Sequence, residues 1–166
     1  MDQKYLDWGR KLGIKMELGS LPAEAITARC LFGEARGEPM SDKVKVGAVI
    51  RNRVHWHIAR PVGAAGWGLV VLKPYQFSWT MDSDPNLLKV LDPLTHELPA
   101  VWEVCCQVAE GIVSGAIPDE TQGADYYYDR SMDAKPPSWI HDAGMVATVR
   151  TDTFRFWRSA RVKNWA

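Results

Sequence analysis

The sequence predicts a single domain of the α+β class that is mostly helical and carries a small β element. Apolar residues recur at helical spacing over 21–35, 42–56 and 97–114, whereas aromatic and alternating segments are confined to the last third of the chain. The length of 166 residues is enough for one self-sufficient core. A hydrophobic content of 46% and a charged content of 24% are ordinary for a globular domain.

The chain opens with a weak helical pattern over 1–18. Tyr5, Trp8 and Leu12 would share one helical face, but two intervening glycines weaken the helix. We expect this segment to pack on the core as an extension. A Gly-Ser break then leads into the helix predicted over 21–35.

The segment 42–56 is predicted to be the central buried helix. Ser41 can cap its start, and its apolar residues lie on nearly all sides. A further helix over 97–114 has a single apolar stripe and ends before Gly115, a typical C-terminal stop.

Between these helices, residues 57–96 are predicted to be irregular because glycine and proline recur throughout them. They include the segment 75–79, Tyr-Gln-Phe-Ser-Trp, in which aromatic and polar residues alternate. A loop of this length inside a compact domain is uncommon unless it has a function.

The β element is predicted from two stretches near the C-terminus. Residues 123–129 contain three consecutive tyrosines and favour a short strand. After a turn at 136–139, the pattern over 145–157 favours a strand or a hairpin.

The most informative stretch is 31–39, Leu-Phe-Gly-Glu-Ala-Arg-Gly-Glu-Pro, at the end of the second predicted helix. Ile26, Cys30 and Glu34 share one helical face that is otherwise apolar. Desolvation on such a face raises the pKa of a glutamate and favours the protonated form that general acid catalysis requires. The alternative is a helix end whose charges are simply solvated.

Charge and cysteine content limit the classes of function. The formal net charge is zero, which does not favour nucleic-acid binding, but residues 150–166 carry five Lys or Arg against one Asp. This basic end indicates either an anionic partner, such as a wall polymer, a membrane surface or nucleic acid, or a solvated face. Cys30, Cys105 and Cys106 are predicted to be buried free thiols, which suits synthesis in a reducing compartment.

We expect neither a metal site nor a cofactor. The four histidines lack partners at ligand spacing, and the common nucleotide-binding and nucleophile motifs are missing from the sequence. The N-terminal residues lack the apolar run of a signal peptide, and no apolar run of 18 residues occurs.

Several blocks, taken in order, resemble one family. They are Ala28-Arg29, Gly33 to Pro39, Val44 to Val54, Gln76-Phe77-Ser78 and Gly123 to Tyr128. Together they are similar to the SleB-type cell-wall hydrolases, which include spore-cortex-lytic enzymes and related phage endolysins. The resemblance extends over about 23–157, and the Gly-Glu-Ala-Arg-Gly-Glu-Pro block is its most specific part.

The resemblance implies a lysozyme-like α+β fold, with the β element lining one side of a substrate groove. It further implies cleavage of the MurNAc–GlcNAc bond of peptidoglycan, with Glu34 as the catalytic acid. Lytic transglycosylases need only this one carboxylate, which first protonates the leaving oxygen and then deprotonates the muramyl C6 hydroxyl. Glu38 lies beyond the helix break, where it would orient Arg36 or the substrate.

The expected substrate-binding residues are six side chains near Glu34. Gln76 would position substrate or water, Tyr127 would place a hydroxyl near the reacting sugar, and Trp79 would stack on a sugar ring. Gln76 and Tyr127 could equally be structural, and for Trp79 packing in the core is the stronger expectation. The full set is Glu38, Gln76, Ser78, Trp79, Tyr127 and Tyr128.

The overall prediction is an endolysin that acts as a lytic transglycosylase and consists of one catalytic domain over 1–166. It comprises an N-terminal extension (1–20), a family core (21–157) and a basic tail (158–166). Its partners would be peptidoglycan strands and, through the tail, anionic wall or outer-membrane polymers, and the protein would be a monomer. It would be made in the host cytoplasm without a signal peptide and act on the wall after release. A hydrolytic muramidase, a non-catalytic wall-binding or phage structural module, and an enzyme for another β-linked polymer such as chitin remain as alternatives.

Overall fold

The computed structural model describes residues 1–57 and 64–160. The α-helices are α1 (Gln3–Trp8), α2 (Ala23–Ala35), α3 (Met40–His57), α4 (Ala64–Val71), α5 (Asn86–Leu91), α6 (Pro93–His96) and α7 (Pro99–Ser114). The strands are β1 (Tyr126–Asp129), β2 (Val146–Arg150) and β3 (Phe154–Arg158), and short 3-10 turns occur at Lys15–Ser20, Ser78–Thr80, Arg130–Met132 and Ser138–His141. The predicted α+β class, mostly helical with a small sheet, is confirmed.

Two helices share the centre of the molecule. The predicted burial of α3 is confirmed, since Val46, Val49 and Ile50 are inaccessible to solvent. α2 is buried to a similar degree and packs against α3, α4, α5 and α7. Its C-terminal turn is therefore held in place from several sides.

The N-terminal helix is shorter than the sequence predicted. α1 ends at Trp8 because the chain must pass closely over Trp102, where a Cβ on Gly9 would lie 2.7 Å from the indole nitrogen. The buried Arg29 of α2 then donates hydrogen bonds to the carbonyls of Trp8 and Arg10, at 2.8 and 2.7 Å. These contacts join the N-terminal extension to the core.

The prediction that 57–96 is irregular was wrong for much of that segment, which includes α4, α5 and α6. α4 forms despite two glycines because Trp67, Val70 and Val71 are buried, and the helix packs against α2 and α3. Tertiary packing here outweighs weak intrinsic helix propensity. For residues 58–63 the prediction of irregular structure lies outside the described residues.

The sheet is antiparallel with the order β1–β3–β2, so the predicted hairpin places its second strand in the middle. Tyr127 of β1 pairs with Phe156 of β3. The register between β2 and β3 is irregular between Ala147 and Arg150. Successive residues alternate between the two faces, and Tyr127 lies on the face that is directed toward the helices.

The three cysteines are free and buried, as predicted. Within the described ranges, the helices are too short or too polar to cross a membrane. Of the predicted basic tail, residues 161–166 lie outside the part that the structure describes.

Candidate active site

A cleft of about 600 Å³ opens between the end of α2 and the sheet. Its walls come from six parts of the chain: α2, α3, the segment 75–81, β1 with the turn after it, the turn at 136–139, and β3. The lining residues are Glu34, Arg53, Tyr75, Gln76, Ser78, Met81, Tyr127, Tyr128, Asp129, Met132, Pro137 and Phe154. A concave site with a few convergent polar groups is a typical arrangement for substrate binding.

Glu34 lies in the last turn of α2 and is half-buried at the floor of this cleft. The predicted inward face is present, because Ile26 and Cys30 on the preceding turns are fully buried. Burial raises the pKa of Glu34, and the nearby Asp84 acts in the same direction. The carboxyl group is thereby favoured in its protonated form, which can donate a proton.

Tyr127 donates a hydrogen bond from its hydroxyl to Glu34 Oε2 at 2.7 Å. Its ring is fixed edge-on against Phe154, with 5.2 Å between ring centroids, and also contacts Phe156. Burial and the neighbouring Glu34 raise the pKa of Tyr127 well above its usual value, so the phenol stays neutral and remains a donor. This hydrogen bond opposes part of the rise in the pKa of Glu34.

Arg53 brings a positive charge to the same cleft from α3. Its Nε donates to the carbonyl of Asp125, and its guanidinium lies over the rings of Phe77 and Tyr126. The hydrogen bond to Asp125 anchors the segment that leads into β1. Its charge also lowers the pKa of Glu34 and stabilises the carboxylate.

The loop that leads into β1 is held by Asn52, the residue before Arg53. Its side-chain amide donates to the carbonyl of Ala124 at 2.8 Å and to Asp119 at 3.1 Å. Adjacent residues of α3 thus fix the start of β1, and with it the position of Tyr127.

Three further predicted residues line the cleft. Gln76 is half-buried, Ser78 is exposed, and Tyr128 lies at the sheet edge of the cleft. Tyr75 also lines the cleft, and its side chain is 87% exposed. It has a φ of 64°, an uncommon value for a residue other than glycine.

Two predicted substrate contacts lie elsewhere. Trp79 is fully buried and packs against Gly33 of α2, so stacking of its ring on a sugar is excluded in this conformation. Glu38 is outside the cleft, where its Oε2 accepts a hydrogen bond from Thr153 at 2.6 Å. It does not orient Arg36, whose guanidinium donates to Asn86.

The structure adds a carboxylate that the sequence prediction missed. Asp129, at the end of β1, lines the cleft, and its Oδ1 accepts the backbone N–H of Ser131. Arg53 was likewise missed as a cleft residue. The signal for Arg53 was available, since Val46, Ile50 and Arg53 form one helical stripe of α3.

The described residues include no cluster of three or more His, Cys, Asp and Glu side chains that could hold a metal ion. The groups that converge on the cleft are instead a carboxyl of raised pKa, a neutral phenol and a guanidinium. Such a set can donate a proton to a leaving group and stabilise the carboxylate that results.

The family comparison fits this geometry. The model of one family, described as Cell Wall Hydrolase, matches residues 37–157. The match begins three residues after Glu34, so the role of Glu34 depends on the geometry of the cleft and not on the matched segment. Neither the curated proteins nor the solved structures gave a match to the chain. The family match covers most of the sequence and indicates a peptidoglycan-cleaving role, and the chain belongs to the cell wall hydrolase family.

Proposed function

We propose that this protein is a glycosidase that cleaves the MurNAc–GlcNAc bond of peptidoglycan, with Glu34 as its only general acid. The observation that carries the proposal is the hydrogen bond from Tyr127 to Glu34 at the floor of the cleft. It holds one oxygen of the carboxyl group, so that the other is available to a bound sugar.

The chemistry of a lytic transglycosylase balances with this single carboxylic acid. Glu34 donates its proton to the glycosidic oxygen as the C1–O bond breaks. The resulting carboxylate accepts a hydrogen bond from Tyr127 and is stabilised by the positive charge of Arg53. It then removes the proton from the muramyl C6 hydroxyl, whose oxygen bonds to C1 to give a 1,6-anhydro product. The proton returns to Glu34, and no water is consumed.

A hydrolytic muramidase is the second candidate, and Asp129 is the observation that favours it. A second carboxylate in the cleft could act as a base on water or as a nucleophile. Against this, one of its oxygens already caps the turn at Arg130–Met132, and the residue is exposed to solvent.

The two candidates are separated by mass spectrometry of digested sacculi. The transglycosylase is expected to release anhydro-muropeptides, which are lighter by one water than the hydrolysis products. Asp129→Asn is expected to keep most of the activity, whereas Glu34→Gln abolishes it. Muramic acid with a reducing end as the only product, together with an inactive Asp129→Asn variant, would instead establish the hydrolase.

The finer assignments are part of the same proposal. They comprise membership of the SleB-type group, a lysozyme-like fold and an endolysin role, with a monomer released to reach the wall. The binding of anionic polymers by the basic end is tested by deleting 158–166 and measuring the salt dependence of binding to cells. If wild type binds walls but releases no sugar product, the non-catalytic module is correct. Cleavage of chitin in preference to sacculi would identify another β-linked polymer as the substrate.

A further inference from the structure

A second depression, of about 560 Å³, lies between the start of α3 and the turn that joins β2 to β3. Four cationic side chains line it, together with two acids. The cations are Lys45, Arg130, Arg150 and Arg155, and the acids are Asp42 and Asp152. We refer to this depression as the basic pocket.

Two of the four cations are already paired. Lys45 contacts Glu120 at 3.3 Å, and Arg155 contacts Asp133 at 2.8 Å. Asp42 is buried and accepts a hydrogen bond from Thr151, so it faces the protein.

The other two cations, Arg130 and Arg150, are exposed. Within the described ranges, neither guanidinium has a hydrogen bond or an ion pair. A planar guanidinium offers a paired set of donors that matches a carboxylate or a phosphate.

The strand register places two arginines of the basic pocket directly opposite each other. Arg150 of β2 pairs with Arg155 of β3. Like charges in directly opposite positions destabilise a sheet. Asp133 already neutralises Arg155, so Arg150 is the member of this pair whose guanidinium is available to an anionic ligand.

A neighbouring apolar depression shares Arg150 and Arg155 with the basic pocket. It measures about 470 Å³ and lies along β2 and β3, where Ala147, Val149 and Trp157 contribute apolar side chains and Asp133 contributes an acid. The two depressions together therefore offer positive charge beside a small apolar surface. That combination suits a short acidic peptide with small side chains better than a bare phosphate polymer.

Both depressions adjoin the catalytic cleft. Tyr128 lines the cleft and the apolar depression. Arg130 lies in the turn between Asp129 and Met132, which both line the cleft. A ligand bound in the cleft could therefore extend a side branch onto this surface without leaving the protein.

We propose that the basic pocket and the apolar depression bind the stem peptide of peptidoglycan. This peptide branches from the muramic acid lactyl group and carries free carboxylates next to alanine methyl groups. Arg130 and Arg150 bind the carboxylates, and the apolar side chains of the depression receive the methyl groups. The inference rests on the proposed function, because it takes the glycan strand to be the ligand of the cleft.

The test compares intact Gram-negative sacculi with the same sacculi stripped of peptides by an N-acetylmuramoyl-L-alanine amidase. Wild type is expected to have a lower KM on the intact material. The double variant Arg130→Gln/Arg150→Gln is expected to raise that KM about tenfold, to leave kcat unchanged and to leave the KM on stripped strands unchanged. The matched control is Arg10→Gln/Lys11→Gln, which removes the same charge from exposed residues outside both depressions.

A KM on intact sacculi that is unchanged in the double variant would refute the peptide site. An equal loss on both materials would refute it as well, by assigning the arginines to the glycan or to the fold. A second measurement compares cosedimentation of Glu34→Gln and of Glu34→Gln/Arg130→Gln/Arg150→Gln with intact sacculi, and it does not require cleavage. If wild type cleaves neither material, the proposed function fails, and this binding difference still decides the peptide site.

The competing ligand is a wall phosphodiester polymer. Cosedimentation with Gram-positive walls before and after removal of that polymer provides the comparison. Two results together would refute the stem peptide as the ligand. Binding to Gram-positive walls would depend on Arg130 and Arg150 and be lost when the polymer is removed. Binding to Gram-negative sacculi would be the same with and without these arginines.

Discussion

Replacing Tyr127 by Phe tests whether the phenol tunes the acidity of Glu34. The change removes the hydroxyl that donates to Glu34 Oε2 at 2.7 Å and leaves the ring in its packing against Phe154 and Phe156. The lost hydrogen bond stabilises the ionised carboxylate more than the protonated acid. Its removal therefore raises the pKa of Glu34 further above the usual range.

The size of the kinetic effect follows from the strength of that bond. A hydrogen bond to a charged group contributes about 1.5–3 kcal/mol. If the proton is about half transferred in the transition state, roughly half of this energy is lost there. The barrier then rises by about 0.8–1.5 kcal/mol, and kcat falls about 4- to 13-fold.

The pH dependence of kcat/KM is the diagnostic measurement, because it reports the ionisation of the free enzyme. The alkaline limb reflects loss of the Glu34 proton. In the Tyr127→Phe variant this limb is expected to move to higher pH, while the maximum rate decreases.

The chain offers a matched control in Tyr5, whose hydroxyl donates to Glu110 Oε2, also at 2.7 Å, between α1 and α7. Tyr5→Phe removes a hydroxyl–carboxylate bond of the same length outside the cleft. It is expected to lower the free energy of unfolding and to leave the pH profile unchanged. An alkaline limb that stays in place in Tyr127→Phe, or moves to lower pH, would refute the proposed coupling.

Three further changes test the site and its support. Glu34→Gln is expected to reduce activity on sacculi by at least about 10²-fold. Because the folded state holds the Glu34 proton to higher pH than the unfolded chain does, wild-type stability falls as pH rises from the usual glutamate range through the raised pKa. Urea titrations should therefore show that Glu34→Gln gains stability relative to wild type as pH rises, and a constant difference would contradict this. Gly33→Ala places a Cβ 2.5 Å from the buried ring of Trp79 and should cost about 1–3 kcal/mol, whereas Gly37→Ala, which meets open space, should change stability by less than about 0.5 kcal/mol. Equal melting temperatures for the two alanine variants would refute the close packing. Asn52→Ala should cost about 1–3 kcal/mol in chemical denaturation, since it leaves the buried carbonyl of Ala124 without its donor, and an unchanged midpoint would argue against that anchoring role.

The helical part of the fold could be predicted well because its signals are local. The periodicity of apolar residues gave α2, α3 and α7 to within a few residues. The same reasoning failed for α4, where the glycines indicate a loop but packing against α2 stabilises a helix. It also extended the first helix too far, since nothing local shows that the chain must pass over Trp102 at Gly9.

The two wrong predictions of substrate contact, one for a tryptophan and one for a glutamate, have a common cause. Trp79 and Glu38 both lie close in sequence to residues of the cleft, and both side-chain types suit sugar binding. The direction of each side chain is decided by a distant partner, Gly33 for Trp79 and Thr153 for Glu38. Sequence position alone therefore cannot distinguish them from Gln76 and Ser78, which do reach the cleft.

The sequence by itself determined that a glutamate ends an apolar helical face, because the spacing of Ile26, Cys30 and Glu34 is a property of one continuous segment. Only the tertiary structure decided what that glutamate meets. Its hydrogen-bond partner, Tyr127, is 93 residues away along the chain and reaches it because α3 anchors the start of β1. The physical reason is that helical periodicity depends on neighbours within a few residues, whereas desolvation and the hydrogen bond that set the pKa of Glu34 come from segments brought together by packing of the core.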